Sequence, residues 1–397
     1  RASVLTGRAN DRTGVQSHGY ALRRQEITLA AILRAAGYRT GHFGKWHLNA
    51  LRGPGVPILR SDDHNPGEFG FQDWLSVTNF FDRDPILSRQ GDFEEFEGDS
   101  SEIVVDQALK FLTRHAKQSP TFTVIWYGTP HSPFKASEQD LAEFQDLDES
   151  SRQHYGELVA MDRSLGTLRA GLRKLGIADE TLLWFCSDNG GLPKITPETV
   201  GGLRGNKGTI YEGGLRVPAI MEWPQRIVQP RITHYPASVL DIMPTLLEIT
   251  SIQHPDPTRP LDGLSLVALL SEELGPREKP IPFRHTGRAA WVDNDMKLLT
   301  NKLPRGKFEL YDLIKDPNEQ HDLASEQPEV LARMQRELMA WSETVDASFA
   351  GEDYPEGKVD PREPEPRFWT DVDDYRPYFD QWRTRWEYES RLKKRDK

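Results

Sequence analysis

Three stretches of this 397-residue chain gather residues that handle anions and hard metal ions. In residues 187–218, SDNGGLPKITPETVGGLRGNKGTIYEGGLRVP, Asp188 and Asn189 set a carboxylate beside an amide carbonyl, and Lys207 follows in a glycine-rich loop. Two such oxygens side by side are the donors that Ca2+ or Mg2+ selects. Gly190 and Gly191 let the backbone turn tightly without a Cβ clash. By composition alone SDNGG also reads as an ordinary turn, since Asp, Asn and Gly dominate turns. Residues 37–47, GYRTGHFGKWH, deliver Lys45 and His47 two positions apart, which on an extended segment sends both side chains to one face. The apolar run TFTVIWYG is followed by TPHSP, which presents His131. Cations and a metal converging on one crevice imply an anionic substrate whose charge grows in the transition state.

These groups need elements to carry them. Helical patterns at 28–36, 101–116, 151–175 and 237–249 alternate with apolar strand-like runs at 39–43, 121–127, 181–186 and 217–223. This alternation predicts an α/β fold, a large mostly parallel sheet flanked by helices. Ligands of such sheets bind in the crevice outside the carboxyl ends of the strands. Residues 51–70 form a Gly-, Pro- and Asp-rich insertion in which Asp62 and Asp63 read as solvated charges. From about residue 280 the pattern changes. Residues 289–299 and 308–312 read as antiparallel strands with a turn at 293–295, and 328–344 has helical spacing of apolar residues. The organisation expected is a catalytic α/β domain over 1–280, a smaller α+β subdomain over 281–350, and an aromatic, charged arm over 351–397. That arm is too aromatic for a disordered tail. It reads as packed on its own subunit, or else as a homo-oligomer contact or the rim of a sugar cleft.

A hydrophobic fraction of 37% with ten Trp supports a packed core. The net charge of −11 argues against non-specific nucleic-acid binding. Local clusters of cations still permit an anionic substrate. The sequence has no apolar run of membrane-spanning length and no apolar leader-like segment at its start. A single cysteine, Cys186, excludes an intrachain disulfide framework. It lies inside a strand-like run and reads as a small buried hydrophobe.

Five blocks in order resemble the sulfatase family of the alkaline phosphatase superfamily. RASVLTG at residues 1–7 is similar to the tail of the first sulfatase signature, and GYRTGHFGKWH to the second. TPHSP, SDNGG and KGTIYEGGLRVP match further blocks, and the similarity runs on through FELYDLIKDPNEQHDLA at 308–324. The resemblance implies an alkaline phosphatase-like fold and hydrolysis of a sulfate ester, on a small molecule or an oligosaccharide. It also implies a formylglycine nucleophile and a bound Ca2+, or Mg2+ in its place. Carried over by motif position, Asp188 and Asn189 are metal ligands. Lys45 and Lys207 bind sulfate oxygens, and His131 contacts sulfate near the leaving group as donor or general acid. His47 orients the nucleophile, and Arg1 supports its loop. Arg204 reads as structural or as part of the substrate rim, and Glu212 as a cap and turn into the next strand. Asn49 stands where the family usually has Gly, and Asn tolerates left-handed geometry. In the family pattern the formylglycine precursor lies four positions before the motif arginine, upstream of Arg1, and the strand carrying the paired metal aspartates lies further upstream. The chain therefore resembles a sulfatase lacking its beginning, expected to have no turnover alone and to fold poorly. The family also implies a periplasmic or secreted location. Two other readings stand beside the sulfatase: a phosphonate or phosphate-ester hydrolase of the same superfamily, and a non-catalytic anion-binding protein derived from the fold.

Overall fold

The computed structural model describes residues 1–395. Its contacts divide into two compact units, Arg1–Ser17 with Asp179–Pro361, and His18–Ala178 with Arg362–Lys397.

The second unit is built on a five-stranded sheet in the order Asp92–Glu95, Ile86–Arg89, Asp73–Val77, Arg39–Lys45, Thr121–Trp126. The last three strands run parallel, with Gly41 opposite Asp73 and His42 opposite Val124. The first two are antiparallel additions, so the sheet is mixed where a mostly parallel one was expected. The physical reason is the turn between them. Gln90 and Gly91 both adopt positive φ, 53° and 98°, the geometry that folds two strands into a tight hairpin.

Helices form where capping and apolar spacing agree. Thr28 caps Leu29–Ala35 by accepting from Ala31 N at 3.1 Å, and Asp99 caps Ser100–His115 by accepting from Ser101 N at 2.8 Å. Side chains alternate across the Arg39–Lys45 strand. Phe43 packs on Phe111 of the Ser100–His115 helix, while His42 stands edge-on to Trp46 and Trp126. The Thr121–Trp126 strand closes one edge of the sheet, and apart from Val124 its residues are only half-buried.

The C-terminal arm is part of this unit's core. Trp369, Tyr375, Phe379, Trp382, Tyr388 and Leu392 are buried with Leu51, Val56 and Ile86. Arg367–Phe368 pairs in parallel with Leu51–Arg52. The 51–70 insertion is thus largely pinned by the arm.

In the first unit, Leu183–Cys186 pairs, among the described residues, with Ala219–Glu222 alone, antiparallel, and its residues are half-buried. The sequence reading placed it as a buried strand of the large parallel sheet. The connection between the two strands contains a single short helix, Glu212–Leu215. Parallel pairing needs a crossover connection, and this loop returns the chain antiparallel instead. A separate antiparallel sheet has the order Phe308–Asp312, Met296–Thr300, Arg288–Asp293, Ile281–His285. The turn at 293–295 falls where expected, between Asp293 and Met296. The Pro328–Ala350 helix seals one face, packing Met334 and Leu338 onto Ala289, Trp291, Leu298 and Leu310. No helix among the described residues is long and apolar enough to cross a membrane.

Candidate active site

The first unit brings four of the sequence-predicted residues together. Asp188 follows the Leu183–Cys186 strand; its Oδ2 lies 3.5 Å from Arg1 Nη2, and its Oδ1 accepts from the Asn189 amide. Lys207 donates its backbone N–H to Gly191 O at 2.8 Å, which ties the glycine-rich loop onto SDNGG. Lys207 is exposed, yet enough protein surrounds its ammonium for desolvation to lower its pKa. Asp188 opposes that shift and Arg1 adds to it. Burial also lowers the Arg1 pKa, with Asp188 opposing.

The glycines make this geometry. A Cβ on Gly190 would sit 1.9 Å from Gly213 O, and one on Gly213 would sit 2.3 Å from Gly205 O. Backbone therefore packs directly on backbone, and Gly190 N donates to Gly214 O at 3.0 Å. Glu212 is the first residue of its short helix and makes no cap bond, which corrects the expected cap. Its carboxylate accepts from the fully buried Lys297 Nζ at 2.8 Å, and Lys297 also lies 2.9 Å from Glu319. Glu319 in turn accepts from Glu212 N at 2.6 Å. Arg204 resolves as structural: it donates to Tyr311 Oη at 2.9 Å and Glu319 O at 2.7 Å and lies over the Tyr211 ring. Cys186 is half-buried where its sequence read as a buried hydrophobe, and its thiol pKa is pushed up chiefly by desolvation, which suits an unreactive thiol.

Asp188 and Asn189 offer one carboxylate and one amide carbonyl. This donor chemistry fits a hard divalent cation and supplies two of the six to eight oxygens that Ca2+ takes. Elsewhere, Asp62, Asp63 and His64 bring ligating atoms within 4.8 Å of one another. Those atoms are engaged already. Asp62 accepts from Asn49 and from His64 N, and the buried His64 ring lies between Asp63 at 2.7 Å and Glu363 at 2.9 Å. These are clasped groups, and the solvated-loop reading of Asp62 is corrected.

The second unit carries Lys45, His47 and His131. Lys45 ends its strand and is buried. Its charge works against the strong upward pKa shift that burial, Asp99 and Glu387 impose on Asp82. The extended geometry does not continue to His47, whose φ is 55°, so Lys45 and His47 do not share a face by strand alternation. The left-handed positions here are His47 and Ala50, not Asn49. Positive φ at such non-glycine residues is strain of the kind that clusters at functional sites. Asn49 instead donates to Asp62 Oδ2 at 2.7 Å. His131 stacks on Phe80, centroids 4.4 Å apart and planes 6° apart, and its Nδ1 lies 2.7 Å from Ser132 O. That contact keeps the neutral ring's proton on Nδ1, so Nε2 is the nitrogen that exchanges protons. The nearby acids Asp82, Asp99 and Glu157 escaped the sequence reading, because single acids in loops and on helices look solvated.

The family model described as sulfatase matches residues 1–252. The one described as N-sulphoglucosamine sulphohydrolase, C-terminal, matches 205–344. The chain is 32% identical to N-acetylgalactosamine-6-sulfatase of Rattus norvegicus over 302 residues, covering 67% of this chain and 55% of the relative. It is 32% identical to human arylsulfatase A over 310 residues, covering 68% of this chain and 57% of the relative. The chain thus spans little more than half the length of these relatives. The crystal structure of Ps i-CgsB in complex with k-i-k-neocarrahexaose superposes with a TM-score of 0.76 at 22% identity, covering 97% of this chain and 87% of that one. At that identity the likeness establishes a shared fold.

Proposed function

The chain belongs to the sulfatase family, and on that premise we propose that it hydrolyses the sulfate ester of a sulfated sugar, with aryl sulfates as model substrates. The observation that carries the reading is the extent of the family match, residues 1–252. It spans all seven candidate residues, Arg1, Lys45, His47, His131, Asp188, Asn189 and Lys207. The sugar is supported by the relatives' names, N-acetylgalactosamine-6-sulfatase among them. Export to the periplasm or the cell exterior belongs to the same reading and rests on the family resemblance.

Asp188 and Asn189 would hold the metal, taken as Ca2+ for their hard oxygens, and such an ion would supply polarisation of the sulfate and the nucleophile. A formylglycine of the kind the family carries would supply the attacking oxygen. Lys45 and Lys207 neutralise sulfate oxygens as the charge on them grows. A buried lysine serves well here, because its charge is worth more where water is excluded. As the imidazolium, His131 gives its Nε2 proton to the departing alcohol and is left neutral, with the remaining proton on Nδ1 facing Ser132 O. His47 orients the nucleophile, and Arg1 steadies Asp188.

The test is sulfate release by the protein as encoded from its own initiation codon, on a sulfated monosaccharide, an aryl sulfate and an aryl phosphate. Faster turnover of sulfate than of phosphate esters is expected. Preference for the phosphate ester would move the protein to the phosphohydrolase reading. Turnover of neither, with formylglycine shown by mass spectrometry, would leave the anion-binding reading.

A further inference from the structure

His131 stands on a loop, and a loop must be held if an imidazole is to meet a leaving group within a fraction of an ångström. The Glu149–Leu175 helix does the holding. Gln153 and Glu157 lie one turn apart on it, on one face. Gln153 Oε1 accepts from Ala136 N at 2.7 Å. Glu157 Oε1 accepts from Lys135 N at 2.5 Å, and the His131 N–H also bonds to the Glu157 carboxyl. Gly156 lets the helix come this close, since a Cβ there would meet Ala136 Cβ at 2.6 Å. Phe80 stacks on the His131 ring.

We propose that Glu157 is a positioning residue for His131, its buried carboxyl gathering the backbone N–H groups at both ends of the 131–135 segment so that the imidazole meets the leaving-group oxygen. The proposal rests on the reading of His131 as the proton donor.

Glu157 is fully buried, and its Oε2 has no hydrogen-bond partner among the described residues. A lone carboxylate in such a place costs several kcal/mol. Burial, with Asp82 next and Asp99 adding, pushes its pKa far up, against the two backbone bonds. At neutral pH the side chain is then an uncharged carboxylic acid whose Oε1 acts as a carbonyl acceptor. Glutamine reproduces that acceptor and leucine does not.

The experiment compares the full-length protein with Glu157→Gln, Glu157→Leu, Gln153→Ala and His131→Ala, on a sugar sulfate and on 4-nitrophenyl sulfate. The nitrophenolate leaves without a proton, whereas the sugar alkoxide needs one. Glu157→Leu should lower kcat on the sugar sulfate by about 10- to 100-fold, the cost of misplacing a catalytic group, with little change in KM and a much smaller loss on the nitrophenyl ester. Glu157→Gln should stay near wild type. Gln153→Ala should shift the ratio of the two rates the same way, more weakly, and decides the matter if Glu157→Leu does not fold. Equal losses on both substrates, or a Gln variant as damaged as the Leu variant, would overturn the proposal. His131→Ala tests the premise separately. If it spares the sugar sulfate, the donor assignment fails whatever Glu157 does.

Discussion

Replacing Lys297 with methionine tests how the SDNGG loop is held in place. Lys297 is fully buried and is the ammonium shared by Glu212 and Glu319, at 2.8 and 2.9 Å. Glu212 opens the short helix whose glycine backbone packs on Gly190. Methionine keeps most of the volume and removes the charge, which leaves two buried carboxylates uncompensated. Breaking a buried ion pair by removing one partner costs about 3–5 kcal/mol. For a domain of this size that corresponds to a fall in Tm on the order of 10 °C. The pH dependence follows from Glu319, whose pKa is raised by burial with Lys297 opposing. Without Lys297 the rise is larger. A group with a raised folded pKa contributes fully below its unfolded value, near 4.5, and loses that contribution as pH climbs through the folded value. The deficit of Lys297→Met should therefore be small near pH 4.5 and grow toward pH 8. Adding Glu319→Gln should recover about 1–2 kcal/mol by removing one orphaned charge while its amide oxygen still accepts from Glu212 N. Calorimetric or urea unfolding across pH reads all of this. A deficit below about 1 kcal/mol, or one flat with pH, would refute the account of this triad.

Three further outcomes are expected. Lys207→Ala should cut kcat/KM for a sulfate ester by about 10²–10³ with little change in Tm, and wild-type turnover would remove Lys207 from the mechanism. Gly190→Ala should destabilise the protein by about 1–3 kcal/mol and depress activity, because its Cβ would stand 1.9 Å from Gly213 O; unchanged unfolding curves would show that the two backbones can part. At His64 burial lowers the pKa, but the bonds to Glu363 and Asp63 outweigh it and the net shift is upward. The stabilisation is then present below the ordinary imidazole value and lost as pH rises through the higher folded one, so Glu363→Gln should flatten the stability profile above about pH 6.5.

The sequence alone determined what is local. Helices with 3.6-residue spacing, the strands at Arg39–Lys45 and Thr121–Trp126, and three strands of the antiparallel C-terminal sheet with their turn were legible, whereas Ile281–His285 was not read. So were the motif blocks that carry Lys45, His131, Asp188 and Lys207. Each of these signals is contained in a window of a dozen residues or so, where backbone preference and side-chain period act directly. The strands Asp73–Val77, Ile86–Arg89 and Asp92–Glu95 were not read, because four- and five-residue runs with scattered polar residues carry no distinct period. The antiparallel pairing of Leu183–Cys186 depended on where a long connection returns. Tertiary structure alone decided which charges are buried. Glu157, the Glu212–Lys297–Glu319 triad and the His64–Glu363 contact look like solvated charges in sequence, since acids and lysines on helices and in loops usually are. Their partners lie 22, 85 and 299 residues away. Burial is a property of packing, and only the folded chain sets the dielectric and the neighbours that turn an ordinary carboxyl such as Glu157 into a clamp on the 131–135 loop.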